Sequence, residues 1–576
     1  MKIKEYLGKE GIMGQKIVVI GGVACGPKAA ARLKRLDPSA EVIILEQGPF
    51  VSYGACGLPF FLGGVVKELQ ELINTPAGVP RDPHFFKAVK DIEVLTRTKA
   101  EAIDRDKKIV VARQLETGEI LKLPYDSLVL ATGSSPIRPP LEGIDLAGIY
   151  TLKTLEDGRA LKEALANPDI RDVVVVGLGL IALECIEALF KAHKRITVVE
   201  KLHWPLPTIL DEDVAFPLKE ALEDRGIEII LGEGVKAFEG RDRVEKVITE
   251  GGREIPCQMV LLSIGVRPNV DLAREAGLEV GPLGIKVDRH LRTSDPHIYA
   301  GGDCVESRCL ISGKPVYLPM GSVANKHGRV IGDNLAGMES VFEGVVATAV
   351  CRLFDLNIAR TGLTEKRARE MGYDVVSTIV AGADRAHYIP GQNPLLIKLI
   401  ADAASGRVLG AQMIGPGDVL PRVNTVAAVL RSYGTIEDLA AVEMAYAPPF
   451  APAIDLLTTA AWATQNKIYR LVKSYKPYEV KAKIDRGEEV ILLDVRTPKE
   501  VEAVKIPYPN VVYIPLGKLR ALALEKLPRQ KEIISFCKIS LRGFEAARIL
   551  ASLGFPKVAY MEGGLAAWPF EKEFGL

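Results

Sequence analysis

Two glycine-rich turns constrain the fold of this chain more than any other feature. The first runs from Gly21 to Gly26 and the second begins with Gly177 and Gly179; each follows an apolar strand and precedes a helical stretch. Such a unit lets backbone N–H groups approach a pyrophosphate at the N-terminus of a helix. Two of them predict an α/β protein with two Rossmann-like nucleotide-binding domains.

An acidic residue ends the second strand of each unit. These residues are Glu46 and Glu200. Val23 occupies the position of the middle glycine in the first motif, so this motif alone is weak evidence for a nucleotide site. The apolar strand before it and Glu46 after it support the prediction. Because a carboxylate accepts a hydrogen bond from a ribose 2′-hydroxyl and repels a 2′-phosphate, Glu200 favours NADH over NADPH.

Two further segments are typical of a flavoprotein reductase. Thr132 and Gly133 follow an apolar strand, and Gly302 and Asp303 end another with an acid directed at a ribityl or pyrophosphate group. We therefore expect one nucleotide site to hold FAD and the other NADH. The predicted FAD contacts are Gly21, Gly26, Glu46, Thr132, Gly133, Gly302 and Asp303, and the predicted NADH contacts are Gly177, Gly179 and Glu200.

Composition excludes several classes of partner. The 576 residues include 74 Lys+Arg and 73 Asp+Glu, a net charge of +1, which does not suggest a nucleic-acid partner. No apolar run is long enough for a membrane span, and the start, MKIKEYLGKEGIMGQ, is interpreted as a polar extension without the apolar core of a signal peptide. The eight cysteines show no zinc spacing, so we expect no metal site and a cytoplasmic protein with reduced thiols.

The order of the segments predicts four domains. The chain is expected to return to the first nucleotide domain after completing the second, and a hinge-like stretch at 474–478 precedes a final unit of ordinary domain size. The predicted domains are an FAD domain at 1–125 and 271–340, an NAD(P)H domain at 126–270, an α+β dimerisation domain at 341–468 and a C-terminal α/β domain at 475–576.

Two cysteines stand in motifs that suggest reactivity. Cys56 is followed by Gly57-Leu58-Pro59, which predicts a helix start whose dipole would lower the thiol pKa and favour the thiolate. Cys537 follows an apolar strand and precedes a helical stretch containing Arg542. A loop of backbone N–H groups and a nearby cation at that position could stabilise an anion such as a persulfide.

These motifs resemble known families. Residues 16–465 resemble the coenzyme A disulfide reductases, a single-cysteine branch of the FAD-dependent pyridine-nucleotide disulfide reductases, and residues from about 475 onward resemble a rhodanese domain. The fusion resembles the NADH-dependent persulfide reductases. The motifs that carry the resemblance are Ser52-x-x-x-Cys56-Gly57-Leu58-Pro59, Asn325-Lys326-x-Gly328-Arg329, Tyr446-Ala447-Pro448-Pro449 and Cys537-x4-Arg542-Gly543.

The resemblance implies roles for individual residues. Cys56 would be a lone redox cysteine beside the flavin, because Val51 stands at the partner position of the usual C-x4-C pair. Tyr388 and Tyr446 would be active-site phenols, and the last domain would transfer sulfur through Cys537 and Arg542. The implied contacts to coenzyme A are Arg35, Ser52, Lys90, Asn325 and Arg329, and the protein would form a homodimer.

The chain also departs from the family pattern. Ala55 stands where the family has asparagine, and Ile389 replaces a second tyrosine after Tyr388. The predicted function is NADH-dependent reduction of persulfide or polysulfide sulfur, with sulfur relayed by the rhodanese domain. Three alternatives stay open: a coenzyme A disulfide reductase, an NADH oxidase or peroxidase that uses a cysteine sulfenic acid, and a sulfur-relay or redox-sensing protein. The sequence determines neither the preferred acceptor nor the direction of sulfur flow.

Overall fold

A computed structural model describes residues 14–575. A polar extension is predicted at residues 1–15, and residues 1–13 of it lie outside the described part of the chain. The chain divides into two compact units. One contains the described residues up to Val199 and Gly234–Val345, and the other contains Glu200–Glu233 and the described residues from Val346 onward.

A parallel sheet with the strand Lys16–Ile20 at its centre forms the first part of the first unit. Val19 and Ile44 lie in an apolar cluster on one face and Val18 and Leu130 in a cluster on the other, which explains why these strands are continuously apolar. The sheet order is Ile298–Ala300, Ser127–Leu130, Lys16–Ile20, Glu41–Leu45, Glu93–Leu95. Its helices are Cys25–Leu36, Leu58–Leu62, Pro83–Lys90, Asp271–Glu275 and Gly321–Leu335.

The second glycine turn lies in another parallel arrangement of the same unit. The strand Asp172–Val176 pairs in parallel with Arg195–Glu200 on one side and Met259–Leu262 on the other, and the latter pairs with Ile149–Tyr150. Its helices are Leu155–Ala166 and Leu180–Lys191. The other strands of this unit are Thr98–Asp104, Ile109–Gln114, Ile120–Pro124, Ser134–Pro136, Val235–Glu239, Lys246–Thr249, Glu254–Pro256, Val266–Pro268, Val280–Gly281, Gly284–Ile285, Ser307–Arg308 and Pro315–Val316.

An antiparallel sheet forms the first part of the second unit. The edge strand Val375–Ala383 packs against the helix Leu456–Ile468. The sheet order is Ala349–Leu353, Leu356–Gly362, Val408–Gly415, Pro394–Asp402, Val375–Ala383. The further elements are the helices Glu212–Glu223, Glu365–Glu370, Leu420–Arg431 and Ile436–Ala441 and the strand Glu228–Leu231.

A parallel sheet near the C-terminus completes the second unit. Trp568 is fully buried in its core. The sheet order is Lys473–Tyr475, Val558–Met561, Glu532–Phe536, Val490–Asp494, Val511–Tyr513. The remaining elements are the helices Pro477–Asp485, Pro498–Ala503, Leu516–Lys526 and Leu541–Ser552 and the strand pair Val504–Lys505 and Glu573–Phe574.

The predicted fold class is confirmed: parallel Rossmann-like sheets, an antiparallel sheet and a C-terminal parallel sheet follow one another along the chain. The strand Ser127–Leu130 pairs with the first sheet, although the predicted NAD(P)H domain begins at residue 126, and the domain boundaries stay a prediction. Among the helices that the structure describes, none is long and apolar enough to cross a membrane.

Candidate active site

The first glycine turn packs so tightly that side chains do not fit. Gly21 has φ +110°, and a Cβ there would lie 2.0 Å from the carbonyl oxygen of Ala131. A Cβ on Gly26 would lie 2.0 Å from the carbonyl oxygen of Gly21. The helix Cys25–Leu36 starts within this turn, so its N-terminus is available to a pyrophosphate.

The acid predicted to accompany this turn lies beside it. The Glu46 carboxylate accepts hydrogen bonds from the Gly22 and Gly48 N–H groups, both at 2.7 Å. Burial nevertheless raises the pKa of Glu46, against the lowering effect of these bonds. The carboxylate is therefore held at the edge of the turn, where a ribose would lie.

The remaining predicted FAD contacts follow two other strands of the same parallel sheet, at the same carboxyl edge as the glycine turn. Asp303 accepts hydrogen bonds from Ser134 Oγ at 3.0 Å and Lys153 Nζ at 3.1 Å. Gly302 has φ +85°, and Gly133, at φ +69°, has open space where a Cβ would project. Thr132 instead donates its hydroxyl hydrogen bond to the Asn269 carbonyl.

His327 provides an independent test of the fit to FAD. Its Nδ1 accepts a hydrogen bond from the Gly302 N–H at 3.1 Å, and burial lowers its pKa to about 4, so the ring is neutral and Nε2 carries the proton. That buried Nε2 has no hydrogen-bond partner among the described residues. An orphaned donor beside the Asp303 turn fits a polar ligand there, in agreement with the glycine turn and Glu46.

The second glycine turn also has the conformation that its motif predicts. Gly177 has φ +88°, and a Cβ there would lie 2.6 Å from the Ser263 carbonyl oxygen. Gly179 is the N-cap of the helix Leu180–Lys191 and has open space where a Cβ would project. In the second unit, the buried Glu200 carboxylate accepts a hydrogen bond from the Leu202 N–H at 2.9 Å.

Cys56 lies in a 3₁₀ turn, Ala55–Gly57, and is exposed, whereas the other seven cysteines are buried. A Cβ on Gly321 would lie 3.9 Å from Cys56 Sγ. Gly321 begins a helix of 15 residues whose N-terminus has no side-chain cap. The thiol therefore faces the positive end of a long helix dipole.

The prediction that the pKa of the Cys56 thiol is lowered is wrong for the protein chain without a bound cofactor. Although the residue is exposed, the surrounding protein atoms remove part of the water that would solvate a thiolate, and this desolvation is the largest cause of a raised thiol pKa. The carboxylates of Glu184 and Asp303 raise it further, while Lys153 opposes them. The predicted helix start is the five-residue helix Leu58–Leu62, and the direction of the shift follows from desolvation and the two carboxylates.

Glu184 and Lys153 are site residues that no motif revealed. Burial raises the pKa of Glu184 to about 7, so its carboxyl is partly protonated near neutral pH. The available signal was an acid in an otherwise apolar stretch, residues 180–186. Lys153 lies far from every motif in the sequence and approaches the site only through the fold.

A cavity of about 440 Å³ opens beside the first helix. Three of the residues predicted to contact coenzyme A, Ser52, Lys90 and Asn325, line it. Arg35 and Arg329 do not line it, although Arg35 lies near enough to Lys90 to help lower the Lys90 pKa, after burial. The cavity is also lined by two cations that no sequence motif predicted, Lys28 and Arg81.

The two predicted phenols lie together in the second unit. Tyr388 and Tyr446 are both exposed, and a hydrogen bond to Tyr388 raises the Tyr446 pKa. Their hydroxyls are thus paired at a surface, and their role as active-site phenols stays a prediction.

Cys537 directly follows the strand Glu532–Phe536 and is fully buried. Arg542 forms two hydrogen bonds with the Glu500 carboxylate, at 2.8 and 2.6 Å, and also lies within hydrogen-bonding reach of Cys537. The guanidinium lowers the Glu500 pKa to about 2. Glu500, which the sequence reading missed, therefore holds the Arg542 cation beside the thiol.

Comparisons with known proteins agree with this arrangement. The family profile for pyridine nucleotide-disulphide oxidoreductases matches residues 15–326, the profile for their dimerisation domain matches residues 348–458, and the profile for rhodanese-like domains matches residues 476–570. An NAD(P)H sulfur oxidoreductase (CoA-dependent) from Pyrococcus furiosus is 36% identical over 78% of this chain and 98% of its own length.

Two solved structures resemble nearly the whole chain. An NAD-dependent persulfide reductase from A. fulgidus is 40% identical, with a TM-score of 0.92 over 96% of this chain and 100% of that one. A reduced CoADR-RHD from Bacillus anthracis is 32% identical, with a TM-score of 0.89 over 96% of this chain and 98% of that one.

The fold and the two nucleotide turns define a nucleotide-dependent oxidoreductase fused to a rhodanese-like domain. The chain belongs to the pyridine nucleotide-disulphide oxidoreductase family and carries its dimerisation domain and a C-terminal rhodanese-like domain. It is an NAD(P)H-dependent flavoprotein of the persulfide and CoA-disulfide reductase type. The family implies FAD and NAD(P)H as cofactors.

Proposed function

We propose that this protein uses NADH to reduce persulfide sulfur at Cys56, with Cys537 as the sulfur carrier. The supporting observation is the presence, in one chain, of an exposed thiol beside the flavin-type turns and a second thiol with the Arg542 guanidinium within hydrogen-bonding reach. Val51, at the position of a disulfide partner, is buried and cannot pair with Cys56. Cys56 is therefore expected to react with sulfur or oxygen brought from outside the chain, and we propose sulfur.

The proposed reaction balances with the cofactors of the family. The Cys56 thiolate attacks the sulfur that is bonded to R in a persulfide R–S–SH. The S–S bond breaks, and hydrosulfide leaves with the electron pair. FAD, when bound, supplies the two-electron relay between NADH and the resulting Cys56–S–S–R disulfide. Reduction of that disulfide returns the Cys56 thiolate and releases R–SH, so NADH and R–S–SH give NAD⁺, R–SH and HS⁻.

Coenzyme A is the proposed carrier R. Its phosphates require cations, and Lys28, Arg81 and Lys90 line the cavity near Ser52 and Asn325. Burial and, after it, the charge of Arg35 lower the Lys90 pKa. A phosphate placed there would relieve the repulsion between Arg35 and Lys90.

We assign the predicted phenols and interface residues to the same reaction. Tyr388 and Tyr446 would donate a hydrogen bond or proton to the leaving thiolate. The dimerisation domain suggests a homodimer, and Asn325 and Arg329 would contact the ligand across its interface. We also propose that the domains have the boundaries predicted from the sequence and that the protein is cytoplasmic.

A comparison of acceptors tests the function. We expect kcat/KM for coenzyme A persulfide to exceed that for coenzyme A disulfide, hydrogen peroxide and oxygen by at least about tenfold. A preference for the disulfide would make the rhodanese-like domain peripheral to catalysis. A preference for peroxide or oxygen would indicate sulfenic acid chemistry at Cys56. Negligible turnover with every acceptor, together with a stable complex with a partner protein, would indicate a sulfur-relay protein.

Glu184 is expected to give the reaction a pH dependence near neutrality. Its raised pKa of about 7 means that the carboxyl is protonated below this pH and ionised above it. If the protonated form donates to the departing sulfur, kcat/KM falls as the pH rises through about 7, and Glu184→Gln removes that limb of the profile. Glu163→Gln on another helix is the control, and an unchanged pH limb in the Glu184 variant would contradict the role.

Glu200 is expected to set the choice of nicotinamide cofactor. Removing its carboxylate in Glu200→Ala removes both the acceptor for a 2′-hydroxyl and the repulsion of a 2′-phosphate. The ratio of kcat/KM for NADH to that for NADPH should fall about tenfold. Lys201→Ala is the neighbouring control. An equal gain in NADPH use in the control would argue against a specific contact to Glu200.

A further inference from the structure

Glu562 is a fully buried carboxylate that joins the C-terminal parallel sheet to the antiparallel sheet of the second unit. One oxygen accepts a hydrogen bond from the Ile379 N–H at 2.9 Å, in the edge strand Val375–Ala383. The other accepts from Lys467 Nζ and Ser474 Oγ, both at 2.5 Å. The charge is thus paired, and an edge-strand N–H that would otherwise lack an acceptor is satisfied.

The residues that follow Glu562 close over the Cys537 loop. The Leu565 N–H donates to the Cys537 carbonyl at 2.9 Å, and the Ala566 N–H donates to the Lys538 carbonyl at 3.0 Å. Gly564, at φ +56°, approaches so closely that a Cβ would lie 2.4 Å from the Cys537 carbonyl oxygen. The backbone after Glu562 therefore fixes the backbone that carries the thiol.

Ser540 completes this connection at the cost of backbone strain. It has φ +91°, a strained conformation that residues other than glycine rarely adopt. Its hydroxyl accepts a hydrogen bond from the Gly563 N–H at 2.5 Å. Because strain persists only where surrounding contacts impose it, this bond indicates that the loop geometry is imposed from the side of Glu562.

We propose that Glu562 is a positioning residue for Cys537, acting through Gly563 and Ser540. This inference rests on the proposed sulfur-carrying role of Cys537. In that role the thiolate attacks the outer sulfur of a donor such as thiosulfate, the S–S bond breaks, and sulfite leaves with the electron pair. Cyanide then takes the outer sulfur from the Cys537 persulfide as thiocyanate and returns the thiolate.

The attack requires the thiol to be aligned with the donor S–S bond. A displacement of about 1 Å at a reacting group can cost on the order of a hundredfold in rate. Glu562 prevents such a displacement by bonding the segment above the loop to a strand of the neighbouring sheet. The dimerisation domain thereby takes part in holding the sulfur-transfer site, although it contributes no atom to the reaction.

Glu562→Gln in the full-length holoenzyme tests the inference. Glutamine keeps the size and one acceptor but loses the ion pair with Lys467. We expect kcat for thiosulfate-to-cyanide transfer to fall about tenfold with little change in KM for thiosulfate. NADH-dependent reduction of preformed coenzyme A persulfide should stay within about twofold of the unchanged protein, because that reaction takes place at Cys56.

Lys476→Met is the matched control. Lys476 forms ion pairs with Asp213 and Glu365, so its loss also weakens the attachment of the C-terminal segment without touching the residues above Cys537. Transfer should remain within about twofold of the unchanged protein. A loss as large as that of Glu562→Gln would overturn the inference, because it would show that general loosening is sufficient.

Ser540→Gly provides a second variant that relieves strain instead of creating it. Glycine accepts φ +91° readily but lacks the hydroxyl that bonds Gly563. Transfer should fall several-fold without loss of thermal stability, and Glu562→Gln should add little further loss in the Ser540→Gly background. Fully additive effects would overturn the inference. Unchanged transfer in Cys537→Ser would instead overturn the proposed function of Cys537 itself.

Discussion

Cys56→Ser is expected to lower NADH-dependent sulfide release from coenzyme A persulfide by at least about 10³-fold. A serine hydroxyl is not ionised near neutral pH and cannot form a disulfide, so neither the attack on the persulfide nor the electron transfer to a mixed disulfide can take place. The effect should be in kcat and not in KM for NADH. Sulfide release can be followed with NADH oxidation under anaerobic conditions.

Two other cysteine variants show whether the loss of sulfide release is specific to Cys56. Cys309→Ser makes the same atomic exchange at a buried cysteine outside the site and should retain nearly full turnover. Cys537→Ser should lose thiosulfate-to-cyanide transfer while still reducing preformed coenzyme A persulfide. Retention of substantial sulfide release by Cys56→Ser would refute the proposed chemistry, whatever the behaviour of the other two.

The parts of the molecule that could be predicted from sequence are those determined by local sterics. Gly21, Gly26 and Gly177 are required where a Cβ would collide with a neighbouring carbonyl, and this demand leaves a fixed spacing in the sequence. Continuous apolar strands likewise follow from sheets that are covered on both faces. The family and fold class were confirmed for these reasons, whereas the predicted site residues stay predictions.

The charges around the sites could not be predicted, because their partners lie far apart along the chain. Glu184 and Lys153 approach Cys56 from different elements, and burial together with two carboxylates reversed the expected direction of its pKa shift. Glu562 meets Lys467 across 95 positions. Periodicity and motif spacing describe neighbours within a strand or helix and contain no information about such contacts.

The apolar segment at 394–400 is the clearest example. Its Lys398 is only 1% exposed and lies 2.7 Å from Asp213, 2.8 Å from Glu365 and 3.1 Å from Asp211. Lys476 also pairs with two of these carboxylates. A segment whose sequence suggests an apolar core strand therefore contains the central cation of a buried ionic cluster within the second unit.

Lys398→Met is expected to destabilise the second unit by about 3–5 kcal/mol, because it leaves buried carboxylates without their central cation. The measurement is the shift of the urea or thermal unfolding transition of that unit. Lys473→Met, at an exposed lysine paired with Glu532, is the control and should cost at most about 1 kcal/mol. Equal shifts in the two variants would contradict a special role for the buried cluster.

The pH dependence of this loss has a definite sign. In the unchanged protein, Lys398 and Lys476 hold the pKa of Glu365 and Asp213 below their usual range against the effect of burial. The stability from these carboxylates is therefore present above their unfolded pKa and lost only at strongly acidic pH. Without Lys398, burial would raise their pKa, and protonation would then relieve the buried charge. The deficit of Lys398→Met relative to the unchanged protein should consequently shrink as the pH falls from about 8 to about 5. A deficit that stays constant across that range would show that lost packing of the lysine side chain, not unpaired charge, causes the destabilisation.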